Sequence, residues 1–196
     1  MRSDSLPITF FVDFTCPFSY VTEAALHALA PAHRLDLRPR AYELYPAPEP
    51  LPRPAHRTDE LAAVKEIAAE LGLPLNPPPF RPRTRKAQEA SRFAESRGIR
   101  DQMRRSIYRA YWAEGADIGR IDVLMGLAGD LGIDPTDVKI SLDIDEHAAT
   151  VEADMALARR LRVTATPTLF VGDGRDARIL QGARGMAALD AALREG

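Results

Sequence analysis

The 196-residue chain has a single cysteine, Cys16, and a single tryptophan, Trp112. One cysteine rules out a structural intrachain disulfide and a cysteine-built zinc cluster. The histidines at 27, 33, 56 and 147 have no pair at metal-ligand spacing, so no metal site is expected. An excess of one charge is also lacking. With 26 Lys and Arg against 28 Asp and Glu the formal net charge is -2, which gives no reason to expect nucleic acid or an anionic membrane as partner. No apolar run reaches the length of a bilayer span. The N-terminal apolar stretch is interrupted by Asp13, is too short for a signal core and lacks a small-residue cleavage site. A cytoplasmic, reducing location is therefore expected.

What remains is an ordinary globular composition, 45% hydrophobic and 28% charged, long enough to bury a proper core. Residues 8–14 are rich in β-formers and read as a buried strand. From Tyr20, apolar residues at Val21, Ala24, Ala28 and Leu29 mark a helical face that ends by Pro31, and residues 35–42 read as a second strand. Alternating prolines over residues 45–54 suit neither a ladder nor a helix interior, so a stiff extended connector is expected. Thr58 is positioned to cap a helix carrying Leu61, Val64, Ala68 and Leu71, with Gly72 past its end. Residues 73–82 are again extended. Helical patterns then follow in series, and Asp134-Pro135 is a strong start signal for one of them. Residues 168–171 and 178–180 read as a hairpin around Gly172-Asp173-Gly174, which is turn material and not a phosphate loop, and Met186, Leu189 and Leu193 mark a final helix. The order is β-α-β, a block of helices, then β-β-α.

The chemistry concentrates at Cys16-Pro17-Phe18-Ser19, where a strand gives way to a helix. A sulfur at a helix start faces free amides and the positive end of the dipole, so a lowered pKa and a reactive thiolate are expected. The plainer alternative is a small apolar residue packed behind the strand. Ser19, one turn on, faces Cys16; a hydroxyl cannot resolve a mixed disulfide, but it can donate to the sulfur. His27 and His147 read as surface residues, and His33 and His56 as loop residues. Tyr108, Tyr111 and Trp112 form a stripe at helical spacing, best taken as core, with a place above Cys16 as the alternative. The basic run from Arg81 to Lys86 reads as a solvated helix start, an anion contact being the alternative.

Three stretches carry a resemblance: Asp13-Phe14-Thr15-Cys16-Pro17-Phe18-Ser19-Tyr20, residues 109–118, and residues 158–168 ending in Thr166-Pro167-Thr168. In this order they resemble the DsbA-like branch of the thioredoxin superfamily, particularly the FrnE-type proteins, the 2-hydroxychromene-2-carboxylate isomerases and the kappa-class glutathione transferases. The resemblance implies an α/β thioredoxin fold with an inserted all-helical domain: a discontinuous thioredoxin-like domain at 5–55 and 150–196, and a helical domain at 56–149. It also implies a cis bond before Pro167, catalytic roles for Cys16, Ser19 and Pro167, and substrate contacts from Pro17, Phe18, Thr166 and Thr168. The backbone of Thr166 would pair with an extended peptide or with the γ-glutamyl-cysteine part of glutathione. FrnE-type proteins usually have a second cysteine where Ser19 stands. The isomerases and kappa-class enzymes usually have serine where Cys16 stands, and Asn-Thr or Asn-Ser where this chain has Arg83-Thr84.

The implied activity is a monothiol thiol–disulfide oxidoreductase that forms a mixed disulfide with protein or glutathione. The alternatives are a glutathione-dependent isomerase or transferase, and a non-catalytic peptide-binding module. No bound cofactor is expected beyond glutathione as co-substrate. The expected partners are protein disulfides or glutathione, with a second copy of the chain in a homodimer as a further candidate.

Overall fold

The computed structural model describes residues 5–53, 55–182 and 185–194, with the side chain of residue 175 left aside. Strand β1 (Leu6–Val12) leads into helix α1 (Pro17–His33) and strand β2 (Leu35–Ala41). Helices α2 (Thr58–Glu70), α3 (Arg85–Ser96), α4 (Arg100–Trp112), α5 (Ile121–Asp130) and α6 (Pro135–Asp143) follow. Helix α7 (Ala148–Arg160) returns the chain to strands β3 (Thr168–Val171) and β4 (Arg178–Gln181), and helix α8 (Met186–Arg194) closes it. The sheet order is β2-β1-β3-β4, with β1 and β2 parallel and the other pairs antiparallel. This is the mixed α/β architecture of a thioredoxin fold carrying helices between β2 and α7.

Strand β1 is central and covered on both faces, which is why its apolar residues form a run and do not alternate with polar ones. Ile8, Phe10 and Val12 point to one face and pack with Ala25, Leu26 and Leu29 of α1 and Leu189 and Leu193 of α8. Phe11 points to the other, against Ala158, Val163 and the edge of the Phe170 ring at 6.0 Å. Pro39 is tolerated in β2 because that strand lies at the sheet edge. Its outward polar groups meet side chains. Arg100 donates to the Leu37 carbonyl at 3.0 Å, Arg92 donates to the Pro39 carbonyl at 3.1 Å, and Asp154 accepts from the Ala41 amide at 3.0 Å. This covers an edge that would otherwise invite pairing with another strand.

The helices between β2 and α7 share a core with the start of α1. Phe14, Tyr20 and Val21 belong to the same buried cluster as Val64, Ala90, Ile107, Trp112 and Leu124. Tyr108, Tyr111 and Trp112 are all core. The Trp112 ring stacks on Tyr20 at 5.6 Å, and its indole N–H donates to the Phe14 carbonyl at 2.9 Å. The expected cap at Asp134 is present and accepts from the Thr136 amide at 2.8 Å.

Several local expectations are corrected. Helix α1 does not end by Pro31 but runs through it to His33; a proline in the last turn removes only one hydrogen bond, and Arg34, in the left-handed conformation, closes the helix by donating to the Ala30 carbonyl. Thr58 is the first helical residue of α2, and Arg57 occupies the cap position without a side-chain cap. The connector is not uniformly extended. The Ala47–Pro48 bond is cis, and Glu49 N–H donates to the Pro46 carbonyl at 2.9 Å, forming a turn with proline in its third position. Pro54 of that connector lies outside the described residues.

Candidate active site

The end of β1 and the start of α1 build the site. Asp13 follows the strand and turns the chain: its carbonyl accepts from the Cys16 amide at 3.1 Å. Cys16 then sits at the cap position of α1 in extended conformation, with Pro17 as the first helical residue. Pro suits that position because its missing N–H has no intrahelical partner there. From the far side, the loop after α7 brings in Thr166 and Pro167, whose bond is cis. The Cys16 thiol donates to the Thr166 carbonyl at 3.3 Å, across 150 residues of sequence. Ser19 is fully buried beneath, and its hydroxyl accepts from the Asp13 amide at 3.4 Å.

The electrostatics overturn one expectation. Cys16 is 4% exposed, and burial pushes its thiol above the ordinary cysteine value. The polar groups of Thr166 and Ser19 beside the sulfur act in the other direction, while the Asp13 charge raises it further. The helix start is present, but among the described residues no main-chain amide of its first turn donates to the Cys16 side chain, and the helix position does not compensate for lost water. Burial thus favours the protonated thiol over the thiolate expected from the helix position.

Asp13 is the site residue that sequence reading missed. At 1% exposure its carboxylate accepts from the Thr15 amide at 2.7 Å, the Thr15 hydroxyl at 2.8 Å, the Leu44 amide at 2.9 Å and the Thr84 hydroxyl at 3.1 Å. These donors come from the start of the site, the exit of β2 and the entry to α3, so one carboxylate ties three segments around the cysteine. The signal was an acid closing an otherwise apolar strand, where a solvated side chain is out of place.

The other expected contacts divide. Cys16, Ser19, Thr166 and Pro167 meet, and Pro17 is buried beside them. Phe18 is partly buried against the helical core. Thr168 spends its hydroxyl on the Ala165 carbonyl at 2.8 Å and lies in β3. The basic run is not a solvated helix start. Arg81 is 7% exposed and donates to the Ala55 carbonyl at 2.9 Å, Arg83 bonds the Tyr45 and Glu49 carbonyls, and Arg85 pairs with Glu43 at 2.6 Å.

Nor are His27 and His147 surface residues. His27 is half-buried, which pushes its pKa down, and lines a cavity between α1 and α4. His147 packs edge-on against Phe93 at 6.2 Å. His33 ends α1, bonded to Asp190 of α8 at 2.6 Å. His56 is in the connector as expected, but there its ring nitrogen meets the Tyr111 hydroxyl at 2.8 Å. Burial, with the nearby Arg81 charge, lowers its pKa to about 4.

The sequence profile of the DSBA-like thioredoxin domain matches residues 7–194. The chain belongs to that family. Among its relatives is the uncharacterized protein YwbO of Bacillus subtilis (strain 168), 25% identical over 193 residues, covering 95% of this chain and 94% of that one. The solved probable DsbA oxidoreductase SCO1869 from Streptomyces coelicolor superposes with a TM-score of 0.80 at 21% identity, covering 97% of this chain and 89% of the other. A 2-hydroxychromene-2-carboxylate isomerase gives 0.77 at 22%, covering 96% and 95%. The cytosolic disulfide reductase DsbM from Pseudomonas aeruginosa, solved with glutathione, gives 0.72 at 20%, covering 96% and 100%.

Proposed function

We propose that this chain is a cytoplasmic, glutathione-linked thiol–disulfide oxidoreductase that works through one thiol. The observation that carries this reading is the Cys16 sulfur held at 3.3 Å from the Thr166 carbonyl, with Ser19 in the position a second thiol would take. The glutathione-bound DsbM structure supports glutathione as the co-substrate.

In the first step Cys16-SH reacts with a glutathione mixed disulfide, RS–SG. A bond forms between Cys16 and the glutathione sulfur, the RS–SG bond breaks, and the Cys16 proton ends on the departing RSH. In the second step a glutathione thiol attacks the Cys16–SG bond, releasing glutathione disulfide and restoring Cys16-SH. Ser19 forms no bond to sulfur in either step. Because thiolate is the attacking form and burial raises the Cys16 pKa, the rate should climb as pH rises through neutrality. In a glutathione-coupled assay the protein should reduce such a disulfide, and Cys16→Ser should abolish turnover; equal activity in the variant would overturn the proposal.

One observation favours a second reading. A buried, protonated Cys16 is suited to donate a hydrogen bond to the thiolate of bound glutathione without reacting with it, as a glutathione-dependent isomerase or transferase requires. Intact-mass spectrometry after treatment with glutathione disulfide separates the two. One added glutathione supports the oxidoreductase; an unmodified protein that still binds glutathione supports the isomerase type.

A further inference from the structure

On the flank of α1, away from Cys16, lies a cavity of about 580 Å³ whose opposite wall is α4. Its size falls within the range of small-molecule sites. Tyr20, Ala24, Leu73, Pro74, Tyr108 and Ala113 form its body. Cys16, Ser19, Thr166 and Pro167 are not among its lining residues, so this space is separate from the thiol site.

The charges around it are unequal. Glu23 reaches the cavity, but its carboxylate is held by Arg104 through two hydrogen bonds of 2.5 and 2.8 Å. At the rim Arg109 is paired with Glu114 at 3.0 Å. Arg105 is exposed and makes no ion pair or hydrogen bond among the described residues, and it stands close enough to His27 to help keep that ring neutral. Two ion pairs cancel and the ring is uncharged, which leaves one guanidinium over an apolar slot. Tyr108 adds a buried hydroxyl that lies near Glu23 but has no hydrogen-bond partner among the described residues.

We infer that this cavity binds an amphipathic monocarboxylate, such as a medium-chain fatty acid, with its tail between α1 and α4 and its carboxylate on Arg105. Apolar burial supplies affinity, and the guanidinium selects the anion through charge-assisted hydrogen bonds. The site has a built-in reporter: the lone Trp112 stacks on Tyr20, which walls the cavity.

Decanoate, decan-1-ol and decylammonium serve as probes of one tail with three heads, titrated into the full chain by calorimetry and by Trp112 fluorescence. Decanoate should bind saturably and at least tenfold more tightly than decylammonium. Arg105→Gln, a change at an exposed position, should weaken decanoate about tenfold and leave decan-1-ol unchanged. Ala24→Phe should remove binding of both, and Ala113→Leu repeats that test from the residue that follows α4 should Ala24→Phe fail to fold. Absence of saturable decanoate binding, equal affinity for the ammonium, or an unaltered decanoate affinity in Arg105→Gln would overturn the inference.

Discussion

Two carboxylates, Asp13 just before α1 and Glu23 in its second turn, are buried and handled in opposite ways. Glu23 meets Arg104 in a two-pronged ion pair, and the guanidinium also takes the Ser91 hydroxyl at 3.1 Å and lies over the Phe14 ring at 4.8 Å. Its negative charge is cancelled where it stands. Among the described residues Asp13 has no cation on its oxygens, only neutral N–H and O–H donors. Dipoles make its burial tolerable but leave its charge in place, and that charge acts on Cys16. An ion pair gives a quiet core, whereas a dipole cage gives a buried field beside a reactive atom.

The largest effect expected from this contrast is structural. Arg104→Met leaves Glu23 buried without its partner and should cost about 3–5 kcal/mol in urea unfolding. Adding Glu23→Gln should recover much of that loss, and in neither variant should the Cys16 titration move by as much as in an Asp13 variant. Asp13→Asn should cost less, about 1–3 kcal/mol, because one amide group cannot accept from all the donors that surround it. Its decisive effect is elsewhere: removing the charge should lower the Cys16 pKa, seen as an alkylation profile displaced to lower pH. A profile that stays put would mean the dipole cage screens Asp13 fully. Thr84→Val, which removes one donor and keeps the charge, should cost about 1 kcal/mol and displace the profile little.

His56 sharpens the comparison from the basic side. Its pKa falls from an ordinary 6.5 to about 4 in the folded protein, so protonation opposes folding. Its neutral-state contribution is complete above pH 6.5 and is lost progressively as pH falls toward 4. His56→Phe should flatten the fall of Tm across that window; an unchanged acid limb would mean that other groups govern it.

Much of the architecture was legible in the sequence. The β-formers of residues 8–12 announced a buried strand, and Asp134-Pro135 announced its helix. Cys16-Pro17 likewise marked the start of α1, and its pairing with Thr166-Pro167 is what brings the two ends of the chain together. What escaped depends on depth and on distant partners. The helix position of Cys16 suggested a thiolate, but protonation is decided by burial, which sequence spacing does not report. Asp13 gathers donors from residues 15, 44 and 84, three segments with no common pattern. His27 looked polar and peripheral until α4 was seen to close a cavity over it. The arginines from 81 to 85 read as solvated because their partners are carbonyls and carboxylates of the connector and β2 exit, invisible to a local reading.

The most direct measurement is the pH dependence of Cys16 alkylation by iodoacetamide, followed by mass spectrometry on the full chain. With one cysteine, the signal has one source. The midpoint should lie above the ~8.5 of an ordinary cysteine, with slow modification at neutral pH. A midpoint near or below neutrality would show a stabilised thiolate and contradict the buried, protonated sulfur on which the account rests.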